Sequence, residues 1–355
     1  MKVLSVVGAR PQFVKLGPMS EALASVDEIE HVVVHTGQHY DADMSDVFFE
    51  CLGIAAPDIH LGVGSGSHGS QTGTMLSALE AVLIAQKPDW TLVYGDTNST
   101  IAAALAAVKL HLPVAHLEAG LRSHNRCMPE EHNRVLTDHA ADLLLAPTDT
   151  AMANLANEGL TDRAVNVGDV MVDLCLRVCA AVQDSAPQLP DGIAATEPYL
   201  VATIHRADNT DDEARLRQVL DALRNLRTPV VLYVHPRLLA RASSFGLRLS
   251  GGALHATTPA AYPQMLRAVM GSVGVITDSG GLQKEAFVLQ TPCTTLRTET
   301  EWVETLVDGW NVLDPALTNL PNLAARSRPS RPQSRPFGDG HAAVKAVDAL
   351  RASTA

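Results

Sequence analysis

Short runs of β-branched and aliphatic residues recur along the chain, each followed by a longer stretch in which apolar residues return every three or four positions. In the first half these runs are "KVLSVVG" (2–8), "HVVVHTG" (31–37), "WTLVYGD" (90–96), "PVAHLEA" (113–119) and "DLLLAPT" (142–148). The rhythm restarts with "YLVATI" (199–204), "PVVLYVHP" (229–236), "GVITDSGG" (274–281) and "TPCTTLR" (291–297). Continuous apolar runs of this length, alternating with amphipathic stretches, predict parallel strands buried on both faces by crossover helices. The two series predict an α/β protein of two doubly wound, Rossmann-like domains facing a cleft, residues 1–171 and 172–339. Between them, "DSAPQLPDGIAATEP" (184–198) carries three prolines and no period, and reads as a linker. The last amphipathic stretch, inside 340–355, is expected to dock back on the first domain.

Length agrees with two domains: 355 residues, 46 % of them hydrophobic, bury a large core. Charge narrows the function. A net charge of −12 argues against a nucleic-acid partner, which calls for a basic surface, so an anionic ligand must be met by a local cluster of donors. Five scattered cysteines without a C-x-x-C pair predict a reducing compartment and no structural metal site. The start "MKVLSVVGAR" lacks the features of a signal peptide and no run approaches membrane-spanning length, so the expectation is a cytoplasmic protein with no membrane partner. The stretch "AARSRPSRPQSR" (324–335) reads as a solvated loop. Gly64-Ser-Gly66-Ser-His-Gly69 matches the dinucleotide fingerprint, but no apolar run leads into it and it does not open the first strand-to-helix unit; it too reads as a loop.

In an open parallel sheet, ligands bind beyond the carboxyl ends of the strands. The residues placed there are polar: Arg10 and Lys15 in "GARPQFVK", Asp96 in "GDTNST", Glu118 in "HLEAGLR", then His205 and Arg206 in "HRADNTDD". Ser279, Gly280 and Gly281 fall where a helix begins, and the N–H groups and positive dipole end of such a start suit a phosphate. A plain helix cap by Asp278 or Ser279 is the alternative. Glu285 lies one turn further on, either facing the same mouth or on the surface. Asp96 and Glu118 follow strands expected to be neighbours, and two carboxylates so placed separate in pKa, as acid–base work requires; Asp96 serving only as a helix cap is the rival reading. Glu130, in "MPEEHNR", falls at a helix start where a carboxylate is favoured anyway.

Ten segments, "GARPQFVKLGP", "TGQHYDADMSDVFF", "VYGDTNST", "HLEAGLRS", "PEEHNR", "TIHRADNTDD", "VHPR", "TDSGGLQKEA", "TETEWVE" and "PFGDGHA", together resemble the non-hydrolysing UDP-N-acetylglucosamine 2-epimerases, in family order from residue 8 to residue 342. The resemblance implies the two-domain GT-B architecture and reversible inversion at C2 of a UDP-2-acetamido sugar. It implies anti elimination of UDP to 2-acetamidoglucal, then re-addition and protonation from the other face, with no cofactor and no metal. Asp96, Glu118 and Glu130 match the family's acid–base carboxylates and His205 its histidine near the leaving diphosphate. Arg10, Lys15, Ser279 and Glu285 match its UDP-binding positions, to which Arg206, Gly280 and Gly281 are added. Where many members carry an arginine after "TE", this chain has Trp302, and Arg297 is the candidate to replace it. The "GARPQF" and "TEWVE" variants resemble the branch acting on decorated sugars such as UDP-2,3-diacetamido-glucuronic acid. The family further implies a homodimer and a second, activating UDP-GlcNAc, for which Gln38, His39 and His235 occupy matching stretches. A GT-B glycosyltransferase, a hydrolysing epimerase and a non-catalytic nucleotide-sugar sensor are the rival functions.

Overall fold

The computed structural model describes residues 1–38, 56–330 and 334–353. The chain divides into two compact units, Met1–Leu174 with Pro336–Ala355, and Cys175–Arg335. In the first, β1 (Lys2–Val7), β2 (Glu30–His35), β3 (Ile59–His60), β4 (Trp90–Tyr94), β5 (Val114–Leu117), β6 (Leu143–Ala146) and β7 (Ala164–Asn166) pair in parallel in the order β3-β2-β1-β4-β5-β6-β7. In the second, β8 (Leu200–Thr203), β9 (Val230–Tyr233), β10 (Leu254–Thr257), β11 (Gly274–Thr277), β12 (Cys293–Thr295) and β13 (Asn311–Leu313) repeat that winding as β10-β9-β8-β11-β12-β13. Strand order reverses between β1 and β4 in one sheet and between β8 and β11 in the other. At these points the loops part to opposite faces and leave a crevice at the carboxyl edge.

Helices α1 (Arg10–Ala24), α2 (His68–Gln86), α3 (Asn98–Lys109), α4 (Pro129–Ala140) and α5 (Asp149–Asn157) connect the first series, and α6 (Val170–Val182) runs across the boundary between units. The second series is connected by α7 (Ala207–Thr210), α8 (Glu213–Arg224), α9 (Pro236–Ser244), α10 (Tyr262–Gly271), α11 (Gly280–Val288) and α12 (Leu320–Ala324). Helix α8 shows the rule by which they pack: Asp212 caps its start by accepting from the Arg215 N–H, and Leu216, Val219, Leu220 and Leu223 bury one stripe against the sheet. The final helix, α13 (Ala342–Ser353), returns to the first unit and packs Ala342, Ala346, Val347 and Leu350 with Phe13, Leu16 and Leu23 of α1. The Asp173 carboxylate accepts the Ala342 and Ala343 N–H groups at its start.

Three local readings change. The segment 184–198 is part of the second unit: Leu189 and Ile193 pack on its core, and the Ser185 and Gln188 carbonyls accept from Arg267 and Tyr233. Prolines there remove helix, not contact. Within the glycine-rich 64–69 stretch, His68 and Gly69 form the first turn of α2, whose buried Gln71, Met75, Leu79 and Leu83 recur every fourth position, and the two-residue β3 precedes it. In the basic stretch after α12, Arg326 turns inward to donate to Thr294 Oγ1 and to the Leu323, Cys293 and Trp310 carbonyls. Among the described residues no helix is long and apolar enough to cross a membrane.

Candidate active site

At the first switch point, Gly8 follows β1 where a Cβ would lie 2.0 Å from Thr36 Oγ1 and 2.3 Å from Ser99 Oγ, so only glycine lets these three segments meet. Arg10 opens α1. Gln12 stitches the turn: its Oε1 accepts from the Gly8 and Ala9 N–H groups, and its Nε2 donates to the Tyr94 carbonyl and Thr100 Oγ1. One turn later, Lys15 reaches the Glu118 carboxylate in a buried ion pair. Burial alone would lower the Lys15 pKa, but the charge of Glu118 prevails, with Asp96 adding to it, and holds it above the ordinary lysine value.

The β4–β5 pairing sets Tyr94 opposite Leu117, so Asp96 and Glu118 leave adjacent strand ends. Asp96 does not cap α3; Thr97 does, its Oγ1 accepting from the Thr100 N–H. Gly95 turns at φ +59, and a Cβ there would come within 3.1 Å of both Glu118 Oε2 and Lys15 Nζ. Glu118 itself sits at φ +73, a left-handed backbone that costs a non-glycine residue on the order of 1–3 kcal/mol and is held by the structure around it.

Helix α4 supplies the next layer. Arg134 donates to Asp96 Oδ2 from Nε at 3.1 Å and Nη2 at 2.5 Å, and to Glu131 Oε2 from Nη1 at 3.0 Å. Glu131 in turn accepts from the Ser123 N–H and hydroxyl and the His124 N–H. Burial would raise its pKa, but these hydrogen bonds and Arg134 hold it below the usual carboxylate range. Glu130, in the first turn of α4, is exposed. The two adjacent glutamates therefore have different surroundings: Glu131 fixes the 121–125 loop, and Glu130 is open to solvent.

At the second switch point Asp278, wholly buried, accepts from the His205 and Arg206 N–H groups and from Asn209 Nδ2, all near 3 Å, and His205 Nδ1 lies 3.3 Å from it. Its role is to hold the turn that displays His205. Ser279 is the N-cap of α11, accepting from the Leu282 N–H, and Gly280 and Gly281 open the helix. Glu285 is buried rather than on the surface, close to the Tyr262 phenol, whose pKa is raised by burial and by that carboxylate. A Cβ on Gly280 would lie 2.6 Å from Glu301 Oε1. Glu301 pairs with Arg297 at 3.0 Å, and although burial opposes it, Arg297, with Arg206 contributing, keeps its carboxyl below the usual range. Arg297 is buried, and its Nη1 has no hydrogen-bond partner among the described residues. Trp302 lays its ring 3.8 Å from the ammonium of Lys284, a buried cation–π contact.

Of the residues matched to an activating site, His39 lies outside the described residues. Gln38 is buried, its Oε1 accepting from the Ser99 N–H and hydroxyl. His235 caps α9 and lies against His205, ring centroids 5.0 Å apart. Residues missed at the sequence level are Arg134, Asp138, Glu131 and the inward role of Asp278. The i,i+3 spacing of Glu131 and Arg134 was a usable signal.

Two parallel sheets wound in the Rossmann order, with carboxylates and cations gathered at their switch points, define a doubly wound α/β protein of the GT-B type. The family model described as UDP-N-acetylglucosamine 2-epimerase matches residues 21–351, and the chain belongs to that enzyme family. It is 44 % identical, over 99 % of both chains, to a UDP-N-acetylglucosamine 2-epimerase homolog of Methanococcus maripaludis. It is likewise 44 % identical, over 99 % of both chains, to the UDP-2,3-diacetamido-2,3-dideoxy-D-glucuronate 2-epimerase of Pseudomonas aeruginosa. A crystal structure of the Methanocaldococcus jannaschii UDP-GlcNAc 2-epimerase in complex with UDP-GlcNAc and UDP is similar with a TM-score of 0.88 at 36 % identity, covering 99 % of this chain and all of that one.

Proposed function

We propose that the enzyme interconverts the C2 epimers of a UDP-2-acetamido sugar, UDP-GlcNAc or a diacetamido-uronate relative, by eliminating UDP and adding it back. In the first step the C2–H and C1–O bonds break, the proton passes to a protein carboxylate, the electron pair forms the C1=C2 bond of a glycal, and UDP leaves. The reverse addition delivers a proton to the other face. The C2 hydrogen has no neighbouring carbonyl to acidify it, so its loss must be coupled to departure of a stabilised leaving group. The observation that carries this reading is the pairing of Asp96 and Glu118 at adjacent strand ends, each matched to its own cation. A base and an acid in separate electrostatic settings are what a two-face proton transfer needs. Asp96, Glu118 and Glu130 take the proton transfers. His205, Arg206, Arg297, Ser279, Gly280 and Gly281 hold the diphosphate, Glu285 the ribose, and Arg10 and Lys15 complete the UDP contacts. The enzyme works as a homodimer, a state light scattering reads directly.

Incubation with UDP-GlcNAc and, separately, with UDP-2,3-diacetamido-glucuronic acid in D₂O, followed by proton NMR, tests the reading. The expected result is a manno epimer carrying deuterium at C2 with one of them, and the faster substrate identifies the branch. Free sugar and UDP without a returning nucleotide sugar would mean a hydrolysing enzyme. Neither exchange nor epimer with any UDP sugar would refute the proposal.

A further inference from the structure

His116 lies in the middle of β5 with no exposed surface, and both of its ring nitrogens are engaged. Nε2 is 2.7 Å from the Gly95 carbonyl oxygen, which can only accept, so Nε2 carries a proton and donates it. Nδ1 is 2.7 Å from Asp138 Oδ1, within hydrogen-bond distance. The other Asp138 oxygen accepts from the Gly120 N–H at 3.0 Å and from Arg122 Nη1 at 2.7 Å, and Arg122 forms a two-pronged pair with Glu158. The consequence falls on Gly95. Its N–H donates to the Leu117 carbonyl and its C=O accepts from His116, so β5 holds both polar groups of the residue before Asp96. Gly95 also lies directly beneath the Lys15–Glu118 pair.

Resting on the reaction proposed above, we propose that His116 is a positioning residue for it: the bond from Nε2 to the Gly95 carbonyl fixes the turn that aims Asp96. The bond to Asp138 serves folding, by tying β5 to α4 and to the 120–122 loop. The imidazole thus has two edges with separable duties. A buried polar group in the middle of a parallel strand costs stability unless each edge is satisfied, and here one edge faces the reacting turn.

Two substitutions separate the edges, because a glutamine carboxamide reaches the position of Nε2 while that of asparagine takes the position of Nδ1. His116→Gln keeps a donor to Gly95 and gives up Asp138; it is expected to lower the melting temperature while keeping kcat within about threefold of wild type. His116→Asn keeps a partner for Asp138 and gives up Gly95; it is expected to be the more stable variant, with kcat reduced roughly ten- to a hundredfold and KM within about threefold, the pattern of an interaction used only in the transition state. Loss of kcat in step with loss of stability in both variants, or the reverse order between them, overturns the proposal. So does failure of both to fold, which would give the ring to folding alone, and if only His116→Gln folds, a drop in its kcat beyond tenfold has the same meaning. Wild-type enzyme assayed alongside keeps the two ideas apart: a wild type inert toward every UDP sugar refutes the reaction, whereas an active wild type with these variants in the wrong order refutes only the role of His116.

Discussion

At the switch point of the first sheet the polar groups are long side chains matched by charge: Lys15 with Glu118, Arg134 with Asp96 and Glu131. At the switch point of the second sheet the buried carboxylate, Asp278, is committed to backbone N–H groups, and what is presented outward is a helix start bearing Ser279, Gly280 and Gly281. The same winding order thus produces two different surfaces. Paired ionisable side chains set carboxylates within reach of cations and of each other's strand ends, an arrangement suited to moving protons. A glycine-opened helix end is suited to holding an anion whose shape changes little. On the reading proposed above, the first unit supplies the proton-transfer carboxylates and the second most of the diphosphate contacts.

Substitutions that remove a carboxylate from the first unit should have the largest effect. Asp96→Asn, Glu118→Gln and Glu130→Gln are each expected to reduce turnover at least roughly a hundredfold while UDP affinity, read by calorimetry, stays within a few-fold. Glu118→Gln also strands the buried Lys15 ammonium, and breaking one partner of a buried pair costs about 3–5 kcal/mol. The double variant Lys15→Met with Glu118→Gln should therefore regain melting temperature without regaining activity. Near-normal turnover in any two of the three single variants would remove the first unit's claim to the chemistry.

The second unit should respond in binding. Gly280→Val is expected to abolish detectable UDP binding, and Ser279→Ala to weaken it roughly tenfold to a hundredfold, the worth of a charge-assisted hydrogen bond of about 1.5–3 kcal/mol. Because a side chain at Gly280 would first meet Glu301, the variant is best made with Glu301→Ala as well. Continued loss of binding in the double variant assigns the close approach to the phosphate, whereas recovery assigns it to Glu301. A smaller effect of opposite sign is expected from Glu301→Gln alone: removing an anion from the helix start and releasing Arg297 should tighten UDP roughly three- to tenfold. Weaker binding instead would make Glu301 a support of the site rather than a competitor for it.

The strands that could be read from the sequence and those that could not divide along a physical line. Every strand buried on both faces announces itself as an apolar run. The four that do not, β3, β7, β10 and β13, are the edge strands of the two sheets, two to four residues long and partly exposed, so their residues show neither a run nor an alternation. The site follows the same logic. Asp96, Glu118, His205 and Ser279 were legible because they come directly after such runs. Arg134 and Asp138 lie within α4, and apart from the i,i+3 contact of Arg134 with Glu131 their partners, Asp96 after β4 and His116 on β5, are fixed by how the helix packs on the sheet, which no local pattern encodes. Asp278 was legible in position and not in direction: an aspartate after a strand can face the ligand or the protein, and only the neighbouring turn at 205–206 decides.

Acid should separate the units last and most gently. His31, on β2, is partly buried, and the loss of solvation pushes its pKa down to about 4, with Asp58 opposing only in part. The unfolded chain binds a proton there near 6.5 and the folded chain does not, so the stabilisation is complete above pH 6.5 and is lost as pH falls toward 4. Below that, Asp138 and Glu131 must be protonated as well; burial disfavours their charge, but His116 and Arg122 around Asp138, and Ser123, His124 and Arg134 around Glu131, hold both pKa values down. All three groups belong to the first unit, and the second holds the partly buried Glu301, whose pKa is also held down. Hydrogen exchange resolved by peptide should therefore show the first unit loosening at a higher pH than the second. His31→Gln, which can keep the 2.8 Å contact to Ser5 Oγ without a titrating group, should flatten the decline between pH 6.5 and 4 and leave the steeper loss below pH 4 in place. An unchanged slope in that variant would mean that another group carries the acid sensitivity, and simultaneous loosening of both units would deny the difference between them.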